Sequence, residues 1–81
     1  MVIKEGQIWR GWDYGTYVVT KEYCFAGQSK SRYDLINYEG ITVEGISYTS
    51  FEEDTLIAEY PNWLEAVRSK DFRENINDYL D

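Results

Sequence analysis

The sequence predicts a single α+β domain, in which a small antiparallel β-meander is followed by short C-terminal helices. Residues 1–60 contain short runs of β-branched and aromatic residues separated by turn residues. Residues 61–81 instead carry apolar residues at helical spacing. Strands that precede helices are typical of the α+β class. A chain of 81 residues has the length of one small domain. We divide it into a β-rich part (1–60) and a helical appendage (61–81).

The β-rich part contains four predicted strands and one short extended piece. They cover residues 7–12, 16–23, 32–38, 41–44 and 46–49. The first two strands flank the turn Asp13-Tyr14-Gly15, in which glycine can adopt a positive φ, so we expect them to form a hairpin. Because side chains alternate along a strand, Ile8 and Trp9 should point to opposite faces of the sheet.

The segment before the single proline has two possible structures. Ser50-Phe51-Glu52-Glu53 has the Ser-x-x-Glu pattern of a capping box, which predicts a helical turn that begins at Ser50. Residues 55–60 could continue that turn or form a final strand. Pro61 ends either element.

Two short helices are predicted after Pro61, over residues 62–69 and 71–80. Asn62 with Glu65, and Asp71 with Glu74, repeat the capping signature. The second helix presents one apolar stripe. The stripe consists of Phe72, Ile76, Tyr79 and Leu80.

Short strands linked by tight turns favour a strongly twisted meander that closes into a partial barrel; a flat sheet covered by the helices is the alternative. Residues 3–9 and 15–19 resemble the first two strands of small SH3-like barrel proteins, which implies an SH3-like partial barrel. Residues 56–67 with 69–72 resemble the C-termini of small proteins encoded by phages and prophages of Gram-positive bacteria. This second resemblance implies a mobile-element origin and assigns no catalytic or binding residue.

The composition argues against most enzyme classes and against a metal site. The chain has no histidine and one cysteine, so it cannot form a Ser–His or Cys–His pair or the usual zinc ligand sets. We therefore predict no enzymatic activity, no cofactor and no metal. The sole cysteine, Cys24, excludes an intramolecular disulfide and is expected to be a small buried side chain. Without a signal peptide or an apolar run of membrane-spanning length, we expect a cytoplasmic protein with no membrane association.

The charge is unevenly distributed along the chain. Residues 1–38 carry five Lys/Arg against four Asp/Glu, whereas residues 39–81 carry three against eleven, and the total is −7. Such a field repels nucleic acid and attracts basic surfaces.

This asymmetry leads to the functional hypothesis of a non-catalytic, acidic protein-binding module of phage or prophage origin. We expect it to bind a host or phage protein with a basic surface, and to inhibit or modulate a nucleic-acid-handling or defence protein. Tyr60 or Trp63 would be the aromatic anchor of the interface. The predicted acidic contacts are Glu52, Glu53, Asp54, Glu59 and Glu65, followed by Asp71, Glu74 and Asp78.

Three alternatives stay open at this point. The acidic face could serve only to keep a small protein soluble. The chain could be a virion or assembly component; in either role we expect a monomer or a weak homo-oligomer. A mildly basic N-terminal face could also bind nucleic acid weakly through stacking aromatic side chains. That face would combine Arg10, Lys21, Lys30 and Arg32 with Trp9, Trp12, Tyr23 and Tyr33.

Overall fold

Five β-strands form one antiparallel sheet in the computed structural model of the protein, which describes residues 2–73. The strands are β1 (Gln7–Gly11), β2 (Gly15–Tyr23), β3 (Arg32–Asn37), β4 (Thr42–Ser47) and β5 (Thr55–Glu59). The first four are joined as a meander, and β5 returns to pair with β1, so the order across the sheet is β4-β3-β2-β1-β5. The sheet is open, with β4 and β5 as its edges.

Short helices complete the fold. A 3-10 helix, Tyr48–Phe51, connects β4 to β5, and an α-helix, α1 (Trp63–Arg68), follows β5. Residues 70–73 are also helical. The combination of an antiparallel sheet with short helices confirms the α+β class.

The predicted hairpin of the first two strands is confirmed. In β1 and β2, Ile8 pairs with Val18 and Trp9 with Tyr17. The predicted third strand is present as β3. For residues 55–60 the sequence allowed either a helical turn or a final strand, and the structure has the strand β5 there.

Two local predictions are wrong. The predicted pieces 41–44 and 46–49 are not separated at Gly45, which has a φ of +71° and lies inside one strand, β4. The last two residues of the second piece, Tyr48 and Thr49, belong to the 3-10 helix. The helical turn begins earlier than the Ser50 capping box predicts. Ser47 is the N-cap, and its hydroxyl accepts a hydrogen bond from the backbone N–H of Thr49.

The first predicted α-helix is confirmed with its cap. The Asn62 side chain accepts a hydrogen bond from the backbone N–H of Glu65 at 3.0 Å. The next helical residues are capped by Ser69 rather than Asp71, since the Ser69 hydroxyl accepts from the backbone N–H of Phe72 at 3.2 Å. Phe72 is buried as its stripe predicts. The rest of the predicted helix 71–80, with Ile76, Tyr79 and Leu80, lies outside the described residues.

Each face of the sheet carries its own core. One face packs against the N-terminal segment and the 3-10 helix, and the other packs against α1, so Ile8 and Trp9 point to opposite faces as predicted. The first core contains Ile3, Trp9, Tyr17, Val19, Tyr33, Leu35 and Phe51. The second contains Ile8, Val18, Ala66 and Phe72.

Gly6 joins the start of β1 to two other parts of the chain. Its N–H donates to the carbonyl of Val19 at 2.9 Å, and its carbonyl accepts from the N–H of Tyr60 at 3.0 Å. Its φ is +91°, and a Cβ atom at this position would lie 2.3 Å from the carbonyl oxygen of Tyr60. Only glycine satisfies both conditions without displacing the backbone.

We therefore expect Gly6→Ala to lower the free energy of unfolding by about 3 kcal/mol, since it combines backbone strain with a backbone clash. Gly27→Ala is the matched control, because Gly27 has a φ of +84° and no atom within 4 Å of an added Cβ. That control should cost about 1 kcal/mol. Urea unfolding of both variants measures the difference, and equal losses would show that the close approach at Gly6 is unimportant.

Candidate functional site

Phe51 fixes the position of the acidic segment that follows it. This side chain is fully buried, and three aromatic rings meet it in edge-to-face geometry. The centroid distances are 5.2 Å to Trp9, 5.8 Å to Tyr17 and 5.3 Å to Tyr33. Because these rings belong to β1, β2 and β3, the 3-10 helix is anchored across three strands.

The predicted acidic contacts 52–54 therefore directly follow a helix that is held in place by the core. The backbone N–H of Glu52 donates to the carbonyl of Thr49, and that of Asp54 donates to the carbonyl of Phe51. The side chains of Glu52 and Glu53 are exposed, whereas that of Asp54 is half-buried. Two of the three carboxylates are thus free to meet a partner.

Asp54 has a structural contact that the sequence did not indicate. Its carboxylate accepts a hydrogen bond from the buried Tyr17 hydroxyl at 2.5 Å. It also lies against Gly11, where an added Cβ would be 2.2 Å from the Asp54 Oδ1 atom. Asp54 therefore ties the acidic segment to the hairpin of β1 and β2.

The Tyr17–Asp54 pair also changes the ionisation of the phenol. Burial, followed by the adjacent Asp54 carboxylate, raises the pKa of Tyr17 above its ordinary value of 10.0. The phenol therefore stays protonated in the folded protein and keeps its donor role.

Trp12 is the most exposed large hydrophobic side chain of the described residues, with 94% of its surface accessible. It follows the last residue of β1 in the turn to β2. Together with the acidic segment it borders a cleft of about 440 Å³, which we call the acidic cleft. The residues that line it are Trp12, Asp13, Thr49, Ser50, Glu52, Glu53 and Asp54.

The sequence placed Trp12 on a possible nucleic-acid face, and its position in the acidic cleft was not predicted. The available signal was its position directly before Asp13-Tyr14-Gly15. At that point the strand gives way to the turn, and a side chain leaves the packed surface of the sheet.

The two aromatic anchors that the sequence proposed lie elsewhere. Tyr60 is half-buried, and its hydroxyl donates to the carboxylate of Asp71 at 2.5 Å. That contact raises the pKa of Tyr60. Trp63 is half-buried and packs on the core beneath α1. Neither residue lines the acidic cleft.

Two further predicted acidic contacts, Glu59 and Glu65, are also away from that cleft. The carboxylate of Glu59 accepts from the Gln7 side chain at 2.8 Å, and with Tyr60 it lines a separate cleft of about 440 Å³. Glu65 is exposed on α1. Glu74 and Asp78 lie outside the described residues. The structure thus separates Glu52 and Glu53 from Glu59 and Glu65.

The aromatic residues of the predicted nucleic-acid face do not form one stacking surface. Trp9 and Tyr33 are buried in the core. Tyr23 lies beside Lys21, whose Nζ is 5.4 Å from the ring centroid, and its hydroxyl donates to Asp34. Only Trp12 of the four is fully accessible, and it faces the acidic cleft.

Cys24 is exposed, contrary to the expected buried position. It follows β2 at the start of the loop to β3, where the chain leaves the sheet. Its thiol lies 3.0 Å from the carbonyl oxygen of Gln28 and is a donor within the loop.

Within residues 2–73, no cluster of three or more Cys, Asp or Glu side chains is arranged to hold a metal ion. No helix in that part of the chain has the length and apolar character needed to cross a membrane. The chain shows no significant similarity to any known protein family, curated protein or solved structure.

The Tyr17–Asp54 contact predicts a pH-dependent stability. Above about pH 10 the unfolded chain loses the Tyr17 proton while the folded protein retains it, so stability falls as pH rises. Tyr17→Phe should remove this contribution and make the fall shallower by up to about 1.4 kcal/mol per pH unit.

At neutral pH the same substitution should cost about 1–3 kcal/mol, because the half-buried Asp54 carboxylate loses its donor. Urea unfolding of both proteins between about pH 7 and pH 11 provides the measurement, with the ordinary tyrosine pKa as the reference point. Identical slopes above pH 10 in the two proteins would contradict the assigned role of the phenol.

Proposed function

We propose that this protein is a non-catalytic binding module that docks on a basic protein surface through the acidic cleft. The observation that carries the proposal is the nearly complete exposure of Trp12 among the carboxylates of Asp13, Glu52 and Glu53. This arrangement replaces the interface around Tyr60 and Trp63 that the sequence suggested.

The physical chemistry of the cleft favours a cationic partner. An exposed tryptophan supplies a large apolar area when it is covered, and tryptophan is enriched among the residues that dominate binding energy. Its ring face also attracts an Arg or Lys side chain. The surrounding carboxylates would steer such a partner toward the cleft and make association sensitive to salt.

The kind of partner follows from the charge of the whole chain. A net charge of −7 concentrated in the second half resembles the charge of a nucleic-acid ligand. The proposal is therefore that the carboxylates replace phosphates in the basic groove of a host or phage nucleic-acid-handling or defence protein, which is thereby inhibited or modulated. A phage or prophage origin and a cytoplasmic location in the host cell belong to the same proposal.

The proposed scaffold for this cleft is an SH3-like partial barrel. The last strand in the chain, β5, pairs with the first, β1. Bulges at Ile8/Trp9, Val19/Lys21 and Tyr33/Leu35 support strong bending, since bulges increase local twist.

The test begins with an affinity pull-down of the tagged protein from nuclease-treated host lysate, followed by binding measurements with the purified partner. Glu52→Gln combined with Glu53→Gln should weaken binding roughly tenfold at low salt, mainly through a slower association rate. The matched control is Glu39→Gln with Glu44→Gln, which removes the same charge from exposed positions outside the acidic cleft. Equal effects of the two pairs would argue against a local docking site.

Trp12→Ala should weaken the same binding by about 30-fold or more, which corresponds to roughly 2 kcal/mol. Leu64→Ala is the control, because Leu64 is also an exposed apolar residue but lies on α1. Circular dichroism should show unchanged folding for both variants. Retained affinity after Trp12→Ala would overturn the proposal.

A titration with single- and double-stranded oligonucleotides tests the competing function. Lys21 Nζ lies 5.4 Å from the ring centroid of the half-buried Tyr23, and Lys30 Nζ lies 4.5 Å from that of the exposed Tyr48. Oligonucleotide binding that is lost in a Lys21→Gln, Lys30→Gln variant would favour nucleic-acid binding over protein docking.

A further inference from the structure

A second cleft adjoins the acidic cleft and has a different chemical character. Its volume is about 560 Å³. We call it the apolar cleft, because apolar atoms form most of its surface. The residues that line it are Ile3, Lys30, Ser31, Tyr33, Tyr48 and Glu52.

The two clefts meet along one short structural element. Glu52 lines both of them, and the 3-10 helix contributes Tyr48 to the apolar cleft but Thr49 and Ser50 to the acidic one. The two clefts therefore adjoin at Glu52 beside the 3-10 helix, and we call the pair of clefts the groove. Since Phe51 anchors that helix in the core, the groove has a rigid wall.

The two ends of the groove differ in charge and in polarity. At one end, Trp12 lies among carboxylates. At the other end, Ile3 and Tyr33 form an apolar floor, and Tyr48 is 37% exposed. Lys30 provides a positive charge at this second end, where its Nζ lies 2.8 Å from the Tyr48 hydroxyl.

From this arrangement we infer that the groove binds an extended peptide segment of the partner protein that carries one basic and one bulky apolar side chain. The basic side chain stacks on Trp12 beside Glu52 and Glu53. The apolar side chain occupies the apolar cleft against Tyr33 and Tyr48. This inference rests on the proposed function and specifies which feature of a basic partner is recognised.

Lys30 influences which end of the groove each of the two peptide side chains occupies. At the apolar end its positive charge offsets the negative charge of Glu52, which lines this cleft too, whereas the residues that line the acidic cleft include several carboxylates and no cation, so a basic side chain is attracted to the acidic end. The groove therefore distinguishes a peptide with one basic and one apolar residue from a uniformly basic peptide. A volume of about 560 Å³ in the apolar cleft is of the size that holds a ligand group.

The experiment uses fluorescence anisotropy with the full chain and fluorescein-labelled synthetic peptides. Each peptide contains one Arg and one Phe separated by a Gly/Ser spacer of roughly two to six residues, since an extended chain spans about 3.3 Å per residue. Reference peptides replace Arg by Gln, Phe by Ala, or Phe by a second Arg. The spacer series locates the separation between the two ends of the groove.

At the best spacer length, the peptide with both residues should bind at least about tenfold more tightly than each reference peptide. Trp12→Ala should remove the gain in affinity that the peptide's Arg provides. Tyr48→Ala should remove the gain in affinity from the peptide's Phe and leave the gain from Arg unchanged. Leu64→Ala, on the exposed side of α1, should change neither. Circular dichroism confirms that each variant is folded.

Two results would overturn the inference. One is equal binding of all peptides at every spacer length. The other is tightest binding of the peptide with two Arg residues, with no effect of Tyr48→Ala. If binding of the partner from the pull-down still depended on Trp12 and Glu52, the proposed function would stand and only the inferred peptide binding would fail. Loss of both dependences would reject the proposed function as well.

Discussion

The packing of Phe51 is the constraint on which the rest of the structure depends. One buried ring contacts an aromatic side chain from each of β1, β2 and β3. It thus closes the core on one face of the sheet, in a chain of 81 residues that is too short to build a thick core. The same ring holds the 3-10 helix in place, so the stability of the domain and the position of its acidic segment have a common origin.

The candidate site combines side chains from two distant parts of the chain. Trp12 and Asp13 come from the turn of the first hairpin, and Glu52 and Glu53 come from the connection between β4 and β5. The Tyr17–Asp54 hydrogen bond joins these two regions directly. An acidic residue inside the site therefore acts as a structural link, and its neighbours are left available for a partner.

Local sequence patterns were sufficient for most of the secondary structure. The hairpin residues, the residues of β3 and the Asn62 cap each express short-range preferences, which depend on neighbours within a few positions. The same preferences left residues 55–60 undecided between a helical turn and the strand β5. The errors arose where tertiary contacts decide. Gly45 looked like a strand boundary but is accommodated within β4, and Ser47 rather than Ser50 begins the 3-10 helix, which leaves Phe51 in the core.

For the candidate site, the sequence by itself determined the chemical type of the surface. The −8 charge of residues 39–81 made an acidic surface predictable, and the absence of histidine excluded a Ser–His or Cys–His pair. Only the tertiary structure decided which carboxylates are accessible and which tryptophan accompanies them. Glu59 and Asp54 have the same charge as Glu53, but each accepts a hydrogen bond from within the fold. Whether a carboxylate is bound by another side chain of the fold depends on residues distant in the chain, which local patterns do not identify.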